Sequence, residues 1–271
     1  NLSQNIINKI VKKNSFYNKI KNIKSFSDLN KKIKNKIRYI KRHGTFIVNN
    51  WIVILVHGKL SVPYKKFYIE IKDVKEIKKN LNSTQKFKLS NIRSKNKIGN
   101  EIEDELYDKM NKEQTWFRIK KNLFYDNFFK KIESDIKNYV KSPFTIVHLN
   151  AWKTKPKIKK YFDATGTQRG AYRAHNDGYP PGHIKCMIYL QPLDDFSGKI
   201  KVLDKLFESE KAGCAVMFDQ NLRHEAIAGN KNYRYVLELT ILRTVVKTNM
   251  LKHYDGEPGY TWLKQAYYAY L

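Results

Sequence analysis

The chain has 271 residues and a mass of 32.1 kDa, which suits one large domain or one domain with an extension. A hydrophobic fraction of 41% with 13% aromatic residues supplies enough apolar surface for a core and excludes a globally disordered chain. No run approaches the roughly 18 apolar residues of a membrane-spanning helix, because the most apolar segment, 46–57, is short and contains two Asn. The sequence therefore predicts a globular protein without a membrane span.

The formal net charge of +28 is concentrated in the N-terminal half, where residues 1–150 hold 34 Lys and Arg against 13 Asp and Glu. Residues 1–42 alone contain 13 basic residues and one acid, Asp28. Such a density would attract nucleic acid, anionic lipid or another polyanion. The competing interpretation is compositional. Only nine of the 53 basic residues are Arg, as an A+T-rich genome would encode, whereas phosphate-binding surfaces favour the bidentate fork of Arg.

The two cysteines, Cys186 and Cys214, are too few for a disulfide scaffold. We expect both to be small buried apolar side chains in a protein of a reducing compartment, with the cytoplasm as the default location. No signal peptide is evident, since the first basic residues lie among Asn and Ile rather than ahead of an apolar stretch.

In chain order, the first 42 residues are predicted to be helical, with a second helical segment over 29–40 that stops at Gly44. Two stretches rich in Ile, Val, Phe and Tyr, 45–56 and 66–71, are predicted to be strands. The segment 78–99 is polar and is expected to be a loop or a weak helix followed by a loop.

An acidic helix is predicted over 101–110, and apolar residues at steps of three and four predict an amphipathic helix over 116–140. Beyond Pro143 the pattern changes to short β-rich runs separated by Gly, Pro, Asp and Asn. These runs are 144–152, 184–190, 199–203, 214–218 and 233–245. Strands at this spacing without intervening helices predict an antiparallel sandwich or barrel.

The residues that carry chemistry begin with the triplet His175, Asn176, Asp177. Side chains at i and i+2 of an extended segment share a face, so the imidazole of His175 and the carboxylate of Asp177 can converge on one point. His224, which follows an apolar run, is the best candidate for a third ligand. Two imidazoles and one carboxylate suit non-haem Fe(II) and leave positions for a chelating cosubstrate and oxygen.

Arg234 lies ten residues after His224, on the next predicted strand. Alternation places Arg234, Val236, Glu238 and Thr240 on one face of this strand, and we expect that face to look inward. A guanidinium inside a barrel is costly unless it is paired, which predicts a carboxylate supplied by a ligand.

This order and spacing, HxD, then about fifty residues, then His and an Arg ten further on, resembles the Fe(II)- and 2-oxoglutarate-dependent dioxygenase superfamily. The segment 217–225 followed by 233–237 is similar to its prolyl-hydroxylase-like and phytanoyl-CoA-hydroxylase-like branches. The resemblance covers about 144–244. It implies a double-stranded β-helix, a jelly-roll core of eight strands, in a mainly β protein with flanking helices.

By the same resemblance, His175, Asp177 and His224 would bind Fe(II) and serve as the catalytic centre, and Arg234 would bind the distal carboxylate of 2-oxoglutarate. O2 would oxidise the cosubstrate to succinate and CO2 while an unactivated C–H is hydroxylated, with ascorbate as an in-vitro reductant. Many relatives have Ser two residues after this Arg, where Val236 stands here. The candidates for the missing hydrogen bond are Thr240, Tyr189 and Asn150.

Arg169, Arg173 and Trp152 are candidates for substrate contacts, although loop charge and core packing explain them equally well. His148 and His183 flank the predicted site and are interpreted as surface or supporting groups. The domain prediction is a basic helical extension over 1–44 and a single catalytic domain over 45–271, with the jelly-roll core at about 144–245. An aromatic tail over 246–271 is expected to pack against the sheet or to form dimer contacts, which leaves monomer and homodimer open.

Three functions remain open at this point. The first is an oxygenase acting on a small molecule, sugar or lipid. The second performs the same chemistry on a nucleic acid or an anionic envelope polymer held by the Lys-rich N-terminal half. The third is a non-catalytic basic binding module on a jelly-roll scaffold, against which the intact set of His175, Asp177, His224 and Arg234 argues, because a buried ionisable cluster without a ligand is destabilising.

Overall fold

The computed structural model describes residues 26–84, 86–87, 114–117, 119, 128–156, 174–177 and 179–246. The chain divides into two compact units, Asn1–Gly44 and Thr45–Leu271. The separate roles of the basic extension and the catalytic domain stay predictions. The predicted helices at 101–110 and before residue 26, and the aromatic tail after Val246, lie outside the described residues.

The first described helix, α1, runs over Phe26–His57. It passes through Gly44, so the predicted helix stop at Gly44 and the predicted strand over 45–56 are both wrong. Phe46, Asn49 and Val53 are the buried side chains in this stretch, at 1%, 2% and 0% exposure, and their steps of three and four are helical. A single Gly costs a helix only about 1 kcal/mol relative to Ala, which burial of Phe46 and Val53 outweighs.

Among the described residues, two shorter helices follow, α2 over Ile71–Ser83 and α3 over Lys130–Val140. In α3, Ile132, Ile136 and Val140 recur at steps of four and are buried. The predicted helix over 116–140 is therefore right only in its C-terminal part. Its start is wrong, since Trp116 lies in a strand and stacks on Trp152 with ring centroids 4.9 Å apart. This cross-strand aromatic pair stabilises the strand over the helix that the spacing predicts.

The remaining elements form two antiparallel sheets. Their strands are β1 (Tyr64–Tyr68), β2 (Lys86–Phe87), β3 (Gln114–Phe117), β4 (Phe144–Thr154), β5 (His183–Tyr189), β6 (Gly198–Val202), β7 (Lys205–Phe207), β8 (Cys214–Asp219), β9 (His224–Ala228) and β10 (Arg234–Arg243). The larger sheet has the order β1-β8-β5-β10-β4-β3-β2, and the smaller has the order β7-β6-β9.

The topology is a double-stranded β-helix. An isolated antiparallel bridge joins His175 to His224 of β9, so the segment at His175 extends the smaller sheet to β7-β6-β9-His175. The core of the larger sheet is β8-β5-β10-β4. These four strands, together with the three strands of the smaller sheet and the segment at His175, make eight elements. Along the chain from β4 to β10, they pass between the two sheets as the strands of a jelly roll do. The predicted fold class, mainly β with a jelly-roll core, is confirmed.

Side chains of the larger sheet alternate between two cores. One face contributes Trp152, Tyr189 and Val236, which pack with Ile200 and Val202 of the smaller sheet. The opposite face contributes residues such as Leu237 and Leu239 to a cluster with the buried faces of α2 and α3. The interior of the barrel is therefore the face that carries even-numbered residues of β10 up to the bulge after Thr240.

Five strands lie where the sequence predicts them, namely β4, β5, β6, β8 and β10, and the predicted strand at 66–71 overlaps β1. β7 and β9 were not predicted, because they are three and five residues long and lack a clear alternation. β6 begins at Gly198, where φ is +97° and a Cβ atom would lie 2.6 Å from the carbonyl oxygen of Ile227. Only glycine permits this close approach of β6 and β9. Within the part of the chain that the structure describes, there is no helix with the length and apolarity needed to cross a membrane.

Candidate metal centre

Two histidines that are far apart in the sequence meet where the smaller sheet closes. His175 N donates to the carbonyl oxygen of His224, and His224 N donates to that of His175, both at 2.9 Å. The two imidazole rings have centroids 4.5 Å apart. The backbone of β9 therefore sets the position of the triplet that contains His175.

Asp177 completes the group. Its Oδ1 lies 3.3 Å from Nε2 of His175 and 3.5 Å from Nε2 of His224. The three ligand atoms all lie within 4.8 Å of one another. Ligands bound at about 2.1 Å and at right angles to one another are separated by about 3 Å, so these distances suit a single transition-metal ion. The three side chains are those that the sequence predicts.

A hydrogen bond of Nδ1 determines which ring nitrogen of His224 carries the proton. Nδ1 lies 2.8 Å from the carbonyl oxygen of Leu222, and a carbonyl can only accept, so Nδ1 carries the proton. Nε2 then presents its lone pair toward Asp177 Oδ1. It is buried and has no hydrogen bond of good geometry among the described residues. A donated Nδ1–H beside an available Nε2 lone pair is the arrangement of metal-binding histidines.

Asp177 is ionised. Burial alone would raise the pKa of its carboxyl group, but the close side chains of His175 and His224 and the charge of Lys185 outweigh burial and hold that pKa well below its usual range. A carboxylate that is already deprotonated binds a cation without first losing a proton.

Arg234 is the first residue of β10 and is 6% exposed. It pairs with Thr154 of β4, and two residues on, Val236 pairs with both Trp152 and Tyr189. Arg234 is therefore opposite Thr154 on the inward face of β10, and Tyr189 is opposite the next inward residue of that strand. Both neighbours are buried, at 1% exposure each, and carry hydroxyl groups.

Two of the other predicted cosubstrate contacts, Thr240 and Asn150, lie away from Arg234 along the strands. Thr240 is six residues from Arg234, about 20 Å along the strand, and it pairs with His148 and Lys185. The amide of Asn150 donates to Oε1 of Glu238 at 3.5 Å. Tyr189 is the candidate nearest to Arg234 in register, because it pairs with Val236, two residues along β10.

Of the predicted substrate contacts, Trp152 faces the barrel interior, is 8% exposed and stacks on Trp116. Arg169 and Arg173 lie outside the described residues.

Two charged residues beside the candidate metal ligands were not predicted from the sequence. Lys185 Nζ lies 2.5 Å from Oδ2 of Asp177 and 3.6 Å from Oε2 of Glu238. Burial lowers the pKa of Lys185, but the charges of Glu238 and Asp177 outweigh burial and raise it overall, so the ammonium stays protonated. A signal was available, because Lys185 interrupts an otherwise apolar strand and Glu238 lies on the predicted inward face of β10.

A second polar group lines the same end of the barrel. The ring of Tyr179 makes edge contacts with His148 and His183, at centroid distances of 6.4 and 5.6 Å. Burial lowers the pKa of His148 to about 4, so its imidazole is neutral. His183 Nδ1 lies 2.9 Å from the carbonyl oxygen of Pro180 and is 0% exposed. These residues support the loop that follows Asp177, in agreement with their interpretation as supporting groups.

Comparison with protein-family models and with curated proteins finds no match. Solved structures do show a likeness. A collagen prolyl hydroxylase of Paramecium Bursaria Chlorella virus-1, in complex with 2-oxoglutarate, is 14% identical over 69% of this chain and 98% of its own, with a TM-score of 0.42. HygX of Streptomyces hygroscopicus, with nickel and 2-oxoglutarate bound, is 7% identical over 73% of this chain and 87% of its own, with a TM-score of 0.43.

An oxidoreductase of the 2OG-Fe(II) oxygenase family from Burkholderia pseudomallei is 11% identical over 73% of this chain and 91% of its own, with a TM-score of 0.44. At these identities and TM-scores, the assignment of chemistry rests on the residues of this chain. Fold and site together define a double-stranded β-helix protein with two imidazoles and one carboxylate grouped as a candidate metal centre.

Proposed function

We propose that the protein is an Fe(II)- and 2-oxoglutarate-dependent dioxygenase that hydroxylates an unactivated C–H bond. The observation that carries the proposal is the convergence of His175 Nε2, His224 Nε2 and Asp177 Oδ1 within 4.8 Å of one another. Two neutral nitrogens and one carboxylate oxygen on one side of a cation are the donor set of non-haem Fe(II) oxygenases, and they leave the other side open.

The donor set fits the metal on two further grounds. The proton on Nδ1 of His224 leaves Nε2 as a ligand, and the carboxylate of Asp177 is ionised. When bound, Fe(II) would supply the activation of O2, with 2-oxoglutarate as the electron donor that leaves as succinate and CO2.

In this proposal the chain binds the distal carboxylate of the cosubstrate by charge. Arg234 supplies the fork that matches a carboxylate, Thr154 pairs with Arg234, and Tyr189 pairs with the next inward residue, Val236. Thr154 would then replace the hydroxyl that Val236 lacks. The apolar side chains of Val236 and Phe218 exclude water from the same interior.

The test is succinate release from purified protein supplied with Fe(II), ascorbate and 2-oxoglutarate. We expect slow release even without substrate, and its loss in His175→Ala. His57→Ala is the matched control, because His57 lies at the end of α1, where its Nε2 contacts the carbonyl oxygen of Val245. Release that persists unchanged in His175→Ala would overturn the proposed iron site.

The substrate class we propose is a small molecule, sugar or lipid that enters a barrel, with the chain acting as monomer or homodimer in a reducing compartment. The alternative of a nucleic acid or anionic polymer rests on the 13 basic residues in 1–42. Salt separates the two. A steep fall in both turnover and polyanion binding between about 50 and 200 mM salt would favour the macromolecular substrate.

A further inference from the structure

The pair Lys185 and Glu238 lies inside the barrel, and Lys185 contacts Asp177, one of the candidate metal ligands. Lys185 is on β5 and Glu238 is on β10, and the register of these strands pairs Lys185 with Thr240 and Glu238 with Met187. The two charged residues are therefore diagonal neighbours on one face. Their side chains are 11% and 12% exposed.

A buried ammonium is costly unless carboxylates surround it. Lys185 meets two of them, Asp177 at 2.5 Å and Glu238 at 3.6 Å, while Asn150 donates to the other oxygen of Glu238. The contacts thus form a chain from Asn150 through Glu238 and Lys185 to Asp177. Glu238 holds the ammonium on the barrel wall, and the ammonium holds one oxygen of Asp177.

The two oxygens of Asp177 are used differently. Oδ2 contacts Lys185, whereas Oδ1 is the atom 3.3 and 3.5 Å from the two imidazole nitrogens. A carboxylate held by one oxygen cannot rotate about its Cβ–Cγ bond without losing that contact. Lys185 therefore fixes the plane of the carboxylate, so that one oxygen is held by the ammonium and the other faces the histidines.

We propose that Lys185, held by Glu238, is a positioning residue that orients Asp177 as a ligand with a single oxygen for the metal. This inference rests on the proposed metal site. Its chemistry is that of an outer contact on a ligating carboxylate, and removal of such contacts typically lowers metal affinity by about 10- to 100-fold.

A purely electrostatic role of Lys185 predicts the opposite change in metal affinity. An ammonium beside the site repels a divalent cation, so Lys185→Met alone would raise metal affinity if charge were the whole effect. The double variant Lys185→Met/Glu238→Gln removes one positive and one negative charge and leaves the net charge unchanged. Under the electrostatic view, the double variant would bind metal like the wild type.

The experiment measures Mn(II) affinity by titration and the d–d absorption of bound Co(II). We expect the double variant to lose about 10- to 100-fold in Mn(II) affinity and to shift the Co(II) bands, because the carboxylate is no longer held. Glu238→Gln, which keeps the side-chain shape, is the milder second variant and should give a smaller change in the same direction.

The matched control is Lys199→Met/Glu208→Gln. Lys199 of β6 also bridges two carboxylates, at 2.7 Å to Asp195 and 2.5 Å to Glu208, in the same barrel but with both carboxylates exposed. This control variant should leave metal affinity and the Co(II) spectrum unchanged. Wild-type affinity and spectra in both Lys185→Met/Glu238→Gln and Glu238→Gln would overturn the inference while the metal site stands. Failure of the wild type to bind Mn(II) or Co(II) would instead overturn the proposed function.

Discussion

His175 and His224 hold each other through two backbone hydrogen bonds of 2.9 Å, one in each direction. The bridge brings their rings to a centroid separation of 4.5 Å although 48 residues lie between them. The candidate metal centre is therefore formed by the closing of the smaller sheet rather than by a local motif, and a metal ion that bridges both rings should stabilise that closure.

Metal binding should raise the stability of the folded protein. A ligand that binds only the native state adds about 2.7 kcal/mol at one hundred times its Kd. We expect Mn(II) to raise the melting temperature of the wild type, EDTA to reverse the shift, and His224→Ala to abolish it. Thermal unfolding followed by circular dichroism measures this. An equal Mn(II) shift in His224→Ala would place the bound metal elsewhere.

Replacing Arg234 by Met should raise the 2-oxoglutarate requirement by about 10- to 100-fold, since a hydrogen bond to a charged group contributes about 1.5–3 kcal/mol. Mn(II) affinity should stay the same, because Arg234 is not among the three grouped ligands. Thr154→Val should give a smaller rise, up to about tenfold.

The measurement for both variants is succinate release at varied 2-oxoglutarate. Arg223→Ala, at an exposed position, is the control and should behave as the wild type. The assignment of Arg234 to the cosubstrate fails if its loss leaves the 2-oxoglutarate dependence intact.

Acid should destabilise the protein in part through His148. Burial lowers its pKa to about 4 in the folded state, below the ordinary value of 6.5. Between these values the unfolded chain binds more protons, so stability is complete above pH 6.5 and falls as the pH drops toward 4. The loss from this group is about 3 kcal/mol at most.

Urea unfolding measures the effect at about pH 7.5, which is above the ordinary pKa of His, and at about pH 5, which is below it. In His148→Phe the difference in unfolding free energy between the two conditions should shrink. A difference as large as that of the wild type would mean that His148 is not the group responsible.

Two glycines should respond in opposite directions to substitution by Ala. Gly198→Ala should destabilise by about 1–3 kcal/mol, because a residue with a Cβ is strained at φ +97° and that atom would meet the carbonyl oxygen of Ile227. Gly44→Ala should stabilise by up to about 1 kcal/mol, because Gly44 is inside α1 and has nothing within 4 Å of a new Cβ. Chemical unfolding of the two variants checks both signs, and a loss of stability in Gly44→Ala would contradict the second.

The sequence predicts most of the barrel because its strands carry alternation and apolar runs. β10 shows this best, since Val236 packs in the cluster inside the barrel whereas Leu237 and Leu239 pack in the opposite cluster, as the period of two requires. The triad was also predictable, because HxD places two ligands on one face without any knowledge of the rest of the chain.

The failures have a common physical origin in long-range contacts. The stretch 45–56 is rich in β-branched residues and has the local preference of a strand, yet Phe46 and Asn49 fit the end of the barrel only at helical spacing, where Asn49 donates to the carbonyl oxygen of Arg243 at 2.8 Å. Lys185 and Glu238 were missed for the same reason. Each is an isolated charge in an apolar strand, and its meaning depends on a partner from another strand.

Both thiols of the chain, Cys186 and Cys214, are free and fully buried, and burial raises the pKa of the Cys214 thiol to about 11. A native molecule should thus resist alkylating reagents at neutral pH, and each sulfur should become reactive only when β5 or β8 opens. Because these are neighbouring central strands of the larger sheet, iodoacetamide uptake offers a built-in probe of barrel opening that needs neither a tag nor a known substrate.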